Sequence, residues 1–257
     1  MERLRGVRNP SSAQHAVVIG GSIAGLLAAR VLSDTYARVT VFDRDDLPAT
    51  PQHRRGVPQS RHTHGLLARG FEIFEELFPG LGEDLREHGA LVDDMQRGVL
   101  WFNDGHQVRR ARSGLTVLLA SRTMLEWYLR ERVGALANVD IVAGTEVAGL
   151  LSSGDRLTGV RISDTVDVAA DLVVDASGRS NRGPAWLAEL GYPAVAEDIV
   201  RANLVYVTRE YRHVPGEQDF IVSPGGAGRG APSLRQAKYT GMPASTITRP
   251  GQLVFVL

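Results

Sequence analysis

The stretch from Ala16 to Asp43 constrains this chain more than any other. Ala16-Val17-Val18-Ile19 is wholly apolar, and Gly20-Gly21-Ser22-Ile23-Ala24-Gly25 follows it. Leu26 to Leu32 then holds mostly good helix formers, Arg38-Val39-Thr40-Val41-Phe42 is rich in β-branched residues, and Asp43 closes the run. A short continuous apolar strand belongs in a parallel sheet covered on both faces. Glycines permit a tight turn and close approach to the backbone, and a helix start offers N–H groups and a partial positive charge. Strand, glycine turn, helix, strand and acid is the βαβ order that binds a dinucleotide. The middle glycine of the usual fingerprint is Ser22, so the pattern reads Gly-x-Ser-x-x-Gly. Ser22 is small and carries a hydroxyl that a phosphate can accept, but it allows a less close approach than glycine. An acid at Asp43 accepts both ribose hydroxyls, which favours FAD or NAD over NADP; Arg44, next in line, weakens that preference. The competing reading is an ordinary βα turn with an acid after it by accident.

Composition narrows the class. The chain has 257 residues, 43% of them hydrophobic, which is enough for a sizeable core. Net charge is zero, with 29 basic and 29 acidic residues, so binding to nucleic acid through overall charge is not expected. There is no cysteine, which excludes disulfides, thiolate metal sites and a thiol nucleophile. The N-terminal residues carry Arg3, Arg5 and Arg8 without an apolar core, unlike a secretory signal. The most apolar window, Ala16 to Leu32, is broken by Gly20, Gly21, Gly25 and Arg30, so no membrane span is expected. The expectation is a soluble, cytoplasmic protein.

Further along, residues 45–65 are polar and irregular. Periodicity predicts a helix over His64–Leu77 and another over Arg122–Leu136, with strands within 97–121 and at Val139–Val142. Glu146–Leu151, Leu157–Ile162 and Val166–Ala169 read as a meander, with a turn at Ser153-Gly154-Asp155. Asp171-Leu172-Val173-Val174-Asp175-Ala176 reads as a buried strand, ending in Ser177-Gly178, and Asn203–Tyr211 opens a second sheet.

Four segments carry a family likeness: Val17–Arg44, Gly56–Gly70 (GVPQSRHTHGLLARG), Ser121–Leu129 (SRTMLEWYL) and Asp171–Leu187 (DLVVDASGRSNRGPAWL). Together they resemble the FAD-dependent monooxygenases, in particular bacterial relatives of the aromatic-ring and polyprenyl-phenol hydroxylases. The resemblance implies an α/β fold with a Rossmann-like, parallel FAD-binding sheet, a β-meander and part of a substrate-covering sheet. The implied limits are an N-terminal extension over 1–14, an FAD-binding domain over 15–190 with an insertion at about 45–120, and a partial substrate-domain sheet over 195–222. An irregular Gly/Pro-rich tail over 223–257 completes it.

The resemblance also implies site residues. Gly20, Ser22, Ile23, Ala24 and Gly25 would meet the pyrophosphate, and Asp43, with Arg44 beside it, the adenosine ribose. Arg122 would reach the FAD phosphates or ribityl chain through paired, planar hydrogen bonds. Val147 would contact the adenine through its backbone, and Gly178 would let the chain pass close to the cofactor. The segment from His53 to His64, with Arg61 in it, would lie against the flavin's reactive half and stabilise negative charge there. His62 and His64 have no convincing carboxylate partner nearby in the sequence, so a metal site is not expected. No catalytic acid or base is identified.

The implied activity is hydroxylation of a small organic substrate with O2, with NAD(P)H as transient reductant. Two alternatives share the FAD motifs: a flavin-dependent reductase or dehydrogenase of an apolar, isoprenoid-like substrate, and an inactive shortened remnant. The remnant reading has its own motive. The family's second Gly-Asp motif is missing, because Gly154-Asp155 lies in a hairpin turn. The resemblance fades near residue 212, and all the acids lie at or before Asp219. Lys238, the chain's one lysine, also falls in this final stretch. The expectation is a C-terminally shortened member whose last segment is not native family sequence, as a shifted reading frame would produce. Gly225-Gly226-Ala227-Gly228-Arg229-Gly230 has no helix pattern after it and reads as a loop, not a second phosphate turn.

Overall fold

The computed structural model describes residues 14–62, 64–103, 106–163, 165–180, 182–194 and 196–200, together with the backbone of four strands beyond residue 200. The chain divides into two compact units, one of Met1–Ala49 with Leu129–Glu197 and the other of Thr50–Tyr128 with Asp198–Leu257.

The first unit is built on a parallel sheet. Its strands, in spatial order, are Leu172–Asp175, His15–Ile19, Arg38–Phe42 and Val139–Val142. Register is continuous: Val17 pairs with Val173 on one side and Thr40 on the other. Val41 then pairs with Ile141. Ala16, Val17 and Val18 are fully buried, as a strand with helices or sheet on both faces must be. Alternation along the strand explains how. Val17 and Ile19 join Phe42, Val147, Val160, Ala170 and Trp186 in one apolar cluster. Val18, pointing the other way, lies against the helix Ile23–Ser33 at Gly25. Strands Gly149–Ser153, Arg156–Ser163 and Val166–Ala169 form the antiparallel meander, turning at Gly154 with φ 59°.

The second unit contains a three-stranded sheet in the order Gly65–Leu66, Thr116–Leu119, Leu91–Asp94. Its larger sheet runs Val207–Glu210, Ala244–Ile247, Ser233–Gln236, Phe220–Ser223, Leu100–Asn103, His106–Gln107. Helices Ala68–Leu77 and Leu81–Glu87 bury Phe74, Leu81 and Leu85. The helix Arg122–Gly134 carries the chain from this unit back into the first. Among the described residues no helix is long and apolar enough to cross a membrane.

Several elements depart from expectation. The helix predicted from His64 begins at Ala68, because Gly65 and Leu66 pair instead with Leu119 and Leu118. A side chain at Gly65 would come within 2.8 Å of Leu119, so glycine is what permits that pairing. The helix Leu81–Glu87 and the strand Leu91–Asp94 have no counterpart in the sequence reading; each is too short to show a period. The first meander strand begins at Gly149, not Glu146. Strands Ser233–Gln236 and Ala244–Ile247 lie in the segment expected to be irregular, while Gly225–Gly230 falls outside the described residues.

Candidate functional site

The glycine turn sits at the C-terminal edge of the parallel sheet. Gly20 has φ 104°, a left-handed conformation that side chains disfavour, and a Cβ there would stand 2.5 Å from the Ala176 carbonyl oxygen. Its N–H donates to the Phe42 carbonyl at 2.7 Å. Gly25 is required still more strictly, since a Cβ would lie 1.7 Å from the Gly20 carbonyl oxygen. The absence of side chains at these two positions lets the helix seat its first turn on the bend. The first intrahelical bond runs from the Leu26 N–H to the Ser22 carbonyl. The amides of Ile23, Ala24 and Gly25 precede it, where an α-helix has no acceptor of its own to offer. Such amides are suited to an anion.

Asp43 closes the neighbouring strand and is only 6% exposed. Its Oδ2 accepts the Gly21 N–H at 2.7 Å and its Oδ1 the Asp45 N–H at 2.8 Å. The acid thus shapes the turn. A carboxylate has about four acceptor sites, so bonds to the turn and to ribose hydroxyls are compatible. Arg44, beside it, is exposed.

Residues 144–148 continue from the end of strand Val139–Val142. The Gly144 N–H donates to the Asp45 carbonyl at 3.0 Å and the Thr145 N–H to the Asp43 carbonyl at 2.8 Å. On the other side the helix Arg182–Glu189 holds the same segment. Arg182 pairs with Glu146 at 2.6 Å and donates to the Val147 carbonyl at 3.1 Å. Trp186 donates its indole N–H to the Ala148 carbonyl at 3.1 Å. Val147 itself is buried. The Ala176 carbonyl is the group that lies nearest Gly20. Gly178 has open space where its Cβ would be, and φ 71° accounts for a glycine there.

Gly20, Ser22, Ile23, Ala24, Gly25, Asp43, Arg44, Val147 and Gly178 all belong to the first unit, whereas Arg61 and Arg122 belong to the second. Arg61 is exposed at the end of the short 3-10 helix Pro58–Arg61. Arg122 is part of a buried ionic cluster. Glu126 Oε1 pairs with Arg54 at 2.6 Å, and its Oε2 lies 3.6 Å from Arg122. Burial lowers Arg122 below its ordinary value while Glu126 opposes that, and a guanidinium stays charged regardless. His64 is drawn below the ordinary histidine value, chiefly by burial; its bond to the His62 carbonyl opposes the shift and the charge of Arg122 adds to it.

Sequence reasoning named Arg54 only as one of the arginines of the His53–His64 segment and did not identify Glu126, Arg182 or Trp186. The i, i+4 spacing of Arg122 with Glu126, and of Arg182 with Trp186, was the available signal, since it places each pair on one helix face.

The turn, its cradle of missing side chains and the acid beside it fit the adenosine diphosphate half of a dinucleotide. Residues 13–222 match the family described as FAD binding domain, and the chain belongs to that family. Protein Rv3254 of Mycobacterium tuberculosis (strain ATCC 25618 / H37Rv) is 42% identical over 223 residues, covering 80% of this chain and 46% of that protein. This chain therefore spans under half the length of that relative. Among solved structures, PqsL from Pseudomonas aeruginosa, a probable FAD-dependent monooxygenase, matches with a TM-score of 0.71 at 16% identity, over 92% of this chain and 61% of that one. The flavin-dependent monooxygenase PieE, solved with FAD and substrate, gives 0.64 at 19% identity, over 96% and 45%. 2-Methyl-3-hydroxypyridine-5-carboxylic acid oxygenase gives 0.64 at 19%, over 93% and 60%. At these identities the structural matches speak to the fold.

Proposed function

We propose that this chain supplies the FAD-binding part of an NAD(P)H-dependent flavin monooxygenase that hydroxylates a small organic molecule with O2. The observation that carries the reading is the buried Asp43 carboxylate bonded to Gly21, at the mouth of a glycine turn that opens a helix. The family match and the fold shared with FAD-dependent monooxygenases support it. FAD, when bound, supplies the redox chemistry and the reaction with O2.

The residues then divide the work. The amides of Ser22 to Gly25 take the pyrophosphate beside Gly20, and Asp43 takes the adenosine ribose, with exposed Arg44 at its edge. The Val147 backbone meets the adenine, and Gly178 shapes the return past the cofactor. Arg122 serves the FAD phosphates or ribityl chain, and Arg61 contributes positive charge to the flavin-side loop. The likeness of Gly56–Gly70, Ser121–Leu129 and Asp171–Leu187 to the aromatic-ring and polyprenyl-phenol hydroxylases favours an aromatic or phenolic substrate. Residues after 222 lie beyond the family match, where the acids have already stopped, and the shifted-frame origin of that stretch stays part of this proposal.

The test is flavin content and oxygen consumption of the purified chain. Yellow protein with flavin absorbance, and O2 uptake coupled to NAD(P)H oxidation and raised by a phenolic substrate, is the expected result. Colourless protein that takes up no added FAD refutes the cofactor assignment. Substrate turnover without O2 uptake refutes the monooxygenase and leaves the reductase.

A further inference from the structure

We propose that Arg182 and Trp186 are positioning residues for the adenine ring, acting through the backbone of residues 146–148. The inference rests on the FAD reading and adds to it what fixes base selectivity.

The order of strands sets the path of a bound dinucleotide. Neighbouring strands lie about 4.8 Å apart, and a parallel sheet brings their C-terminal ends to one edge. Along that edge the glycine turn follows His15–Ile19, Asp43 follows Arg38–Phe42, and residues 143–148 follow Val139–Val142. A ligand with its pyrophosphate on the turn and its ribose on Asp43 therefore carries its base toward 143–148.

That segment enters its meander strand only at Gly149. The Ala148 N–H is already bonded to the Arg161 carbonyl of the meander at 2.7 Å, and two further sides hold the rest. Gly144 and Thr145 are bonded to the Asp43–Asp45 backbone, and Glu146, Val147 and Ala148 are each bonded by the helix Arg182–Glu189. Three consecutive residues are thus held by two side chains four positions apart, on one helix face. The guanidinium of Arg182 is the piece that spans Glu146 and Val147 at once; a lysine ammonium is a point charge and does not reproduce a planar fork. The Arg182–Glu146 pair is partly exposed, so its contribution is geometric more than energetic.

Backbone amides read a base only when they are preset. Adenine offers an acceptor nitrogen and an exocyclic amino donor on its pairing edge, and uracil offers the reverse pattern. A segment held in one conformation discriminates between them, and a relaxed one does not.

The experiment titrates the full chain, freed of flavin, with ADP and with UDP, for the wild type, Arg182→Lys and Trp186→Phe. Trp186→Phe removes the indole N–H together with part of a buried ring, and its ADP-to-UDP preference decides the matter if Arg182→Lys fails to fold. The expected result is at least fivefold weaker ADP binding in the variants, little change for UDP, and, for Arg182→Lys, an unchanged thermal midpoint of the unliganded chain. Equal losses for both nucleotides, or an unchanged preference for ADP, overturn the proposal. A wild type that binds neither ADP nor FAD overturns the FAD reading instead, which keeps the two failures apart.

Discussion

The Gly21 N–H and the Asp43 carboxylate are joined by a buried 2.7 Å hydrogen bond that ties the turn after one strand to the end of the next. One acid therefore shapes the bend, and in the proposed function the same acid receives the adenosine ribose. Asp43→Ala is expected to lose cofactor affinity by roughly 1.5–3 kcal/mol, the usual worth of hydrogen bonds to a charged group. Asp43→Asn keeps an acceptor oxygen and should fall between. Flavin content and ADP titration check this, and full flavin occupancy in Asp43→Ala would mean the ribose role is misassigned.

Gly25 offers a purely steric test. A methyl group there would lie 1.7 Å from the Gly20 carbonyl oxygen, whereas one at Gly149 meets nothing within 4 Å. Gly25→Ala should destabilise the chain by about 1–3 kcal/mol or more, as overpacking does, and release flavin. Gly149→Ala should leave both unchanged. Urea unfolding of the two variants, side by side, measures the difference. Equal midpoints would show that the first helical turn is not seated on Gly20.

The βαβ unit was legible because its signals are local: an apolar run, glycines at a turn and an acid at a strand end all fall within Ala16–Asp43. The Val139–Val142 strand and the helix from Arg122 were legible for the same reason, through an apolar run and an apolar period. What sequence could not show was contact made through backbone carbonyls. Arg182 and Trp186 bond to the carbonyls of Val147 and Ala148, and any residue type has a carbonyl to offer. The partner of Glu126 was equally hidden, because Arg54 lies far away in the chain and only the fold brings it near. Leu81–Glu87 and Leu91–Asp94 escaped because a helix or strand of that length samples too little of its period.

His64 should make stability depend on pH near neutrality. Its value in the folded chain lies below the ordinary 6.5, so the unfolded chain takes up the proton first as pH falls. The stability that comes from keeping it neutral is complete above 6.5 and drains as pH drops from there through the lowered folded value. His64→Gln should flatten that part of the profile. Urea midpoints at several pH values between about 8 and 5 check it, and a wild-type slope unchanged in the variant would rule the histidine out.

Asp94 works at lower pH. Its carboxylate accepts the N–H groups of Gln96, Arg97, Ser113 and Gly114 and the Ser113 hydroxyl, clamping two loops together. These bonds hold its pKa well below the ordinary 3.8, with the Arg97 N–H the largest cause. The clamp's contribution is therefore complete above 3.8 and is lost as pH falls below it. Amide exchange at Ser113 and Gly114 should accelerate in Asp94→Ala at neutral pH; protection equal to the wild type would show that the carboxylate does not hold them.

Glu126 carries the largest stability effect we expect. Its carboxylate is buried between Arg54 and Arg122, with side-chain exposures of 6%, 8% and 17%. Burying such a cluster is costly, but removing only its central anion is costlier, because two cations are then left in a poorly solvated place. Glu126→Gln should lose roughly 3–5 kcal/mol. Arg54→Met alone should also destabilise, since it removes the nearer of the two cations beside Glu126. The double variant Arg54→Met/Glu126→Gln should lose less than the sum of the two, because the residues are in direct contact and the second change removes a charge whose nearer cation the first has already taken away. A double-mutant cycle in urea gives the coupling directly. Strict additivity would mean that Arg54 and Glu126 do not depend on one another.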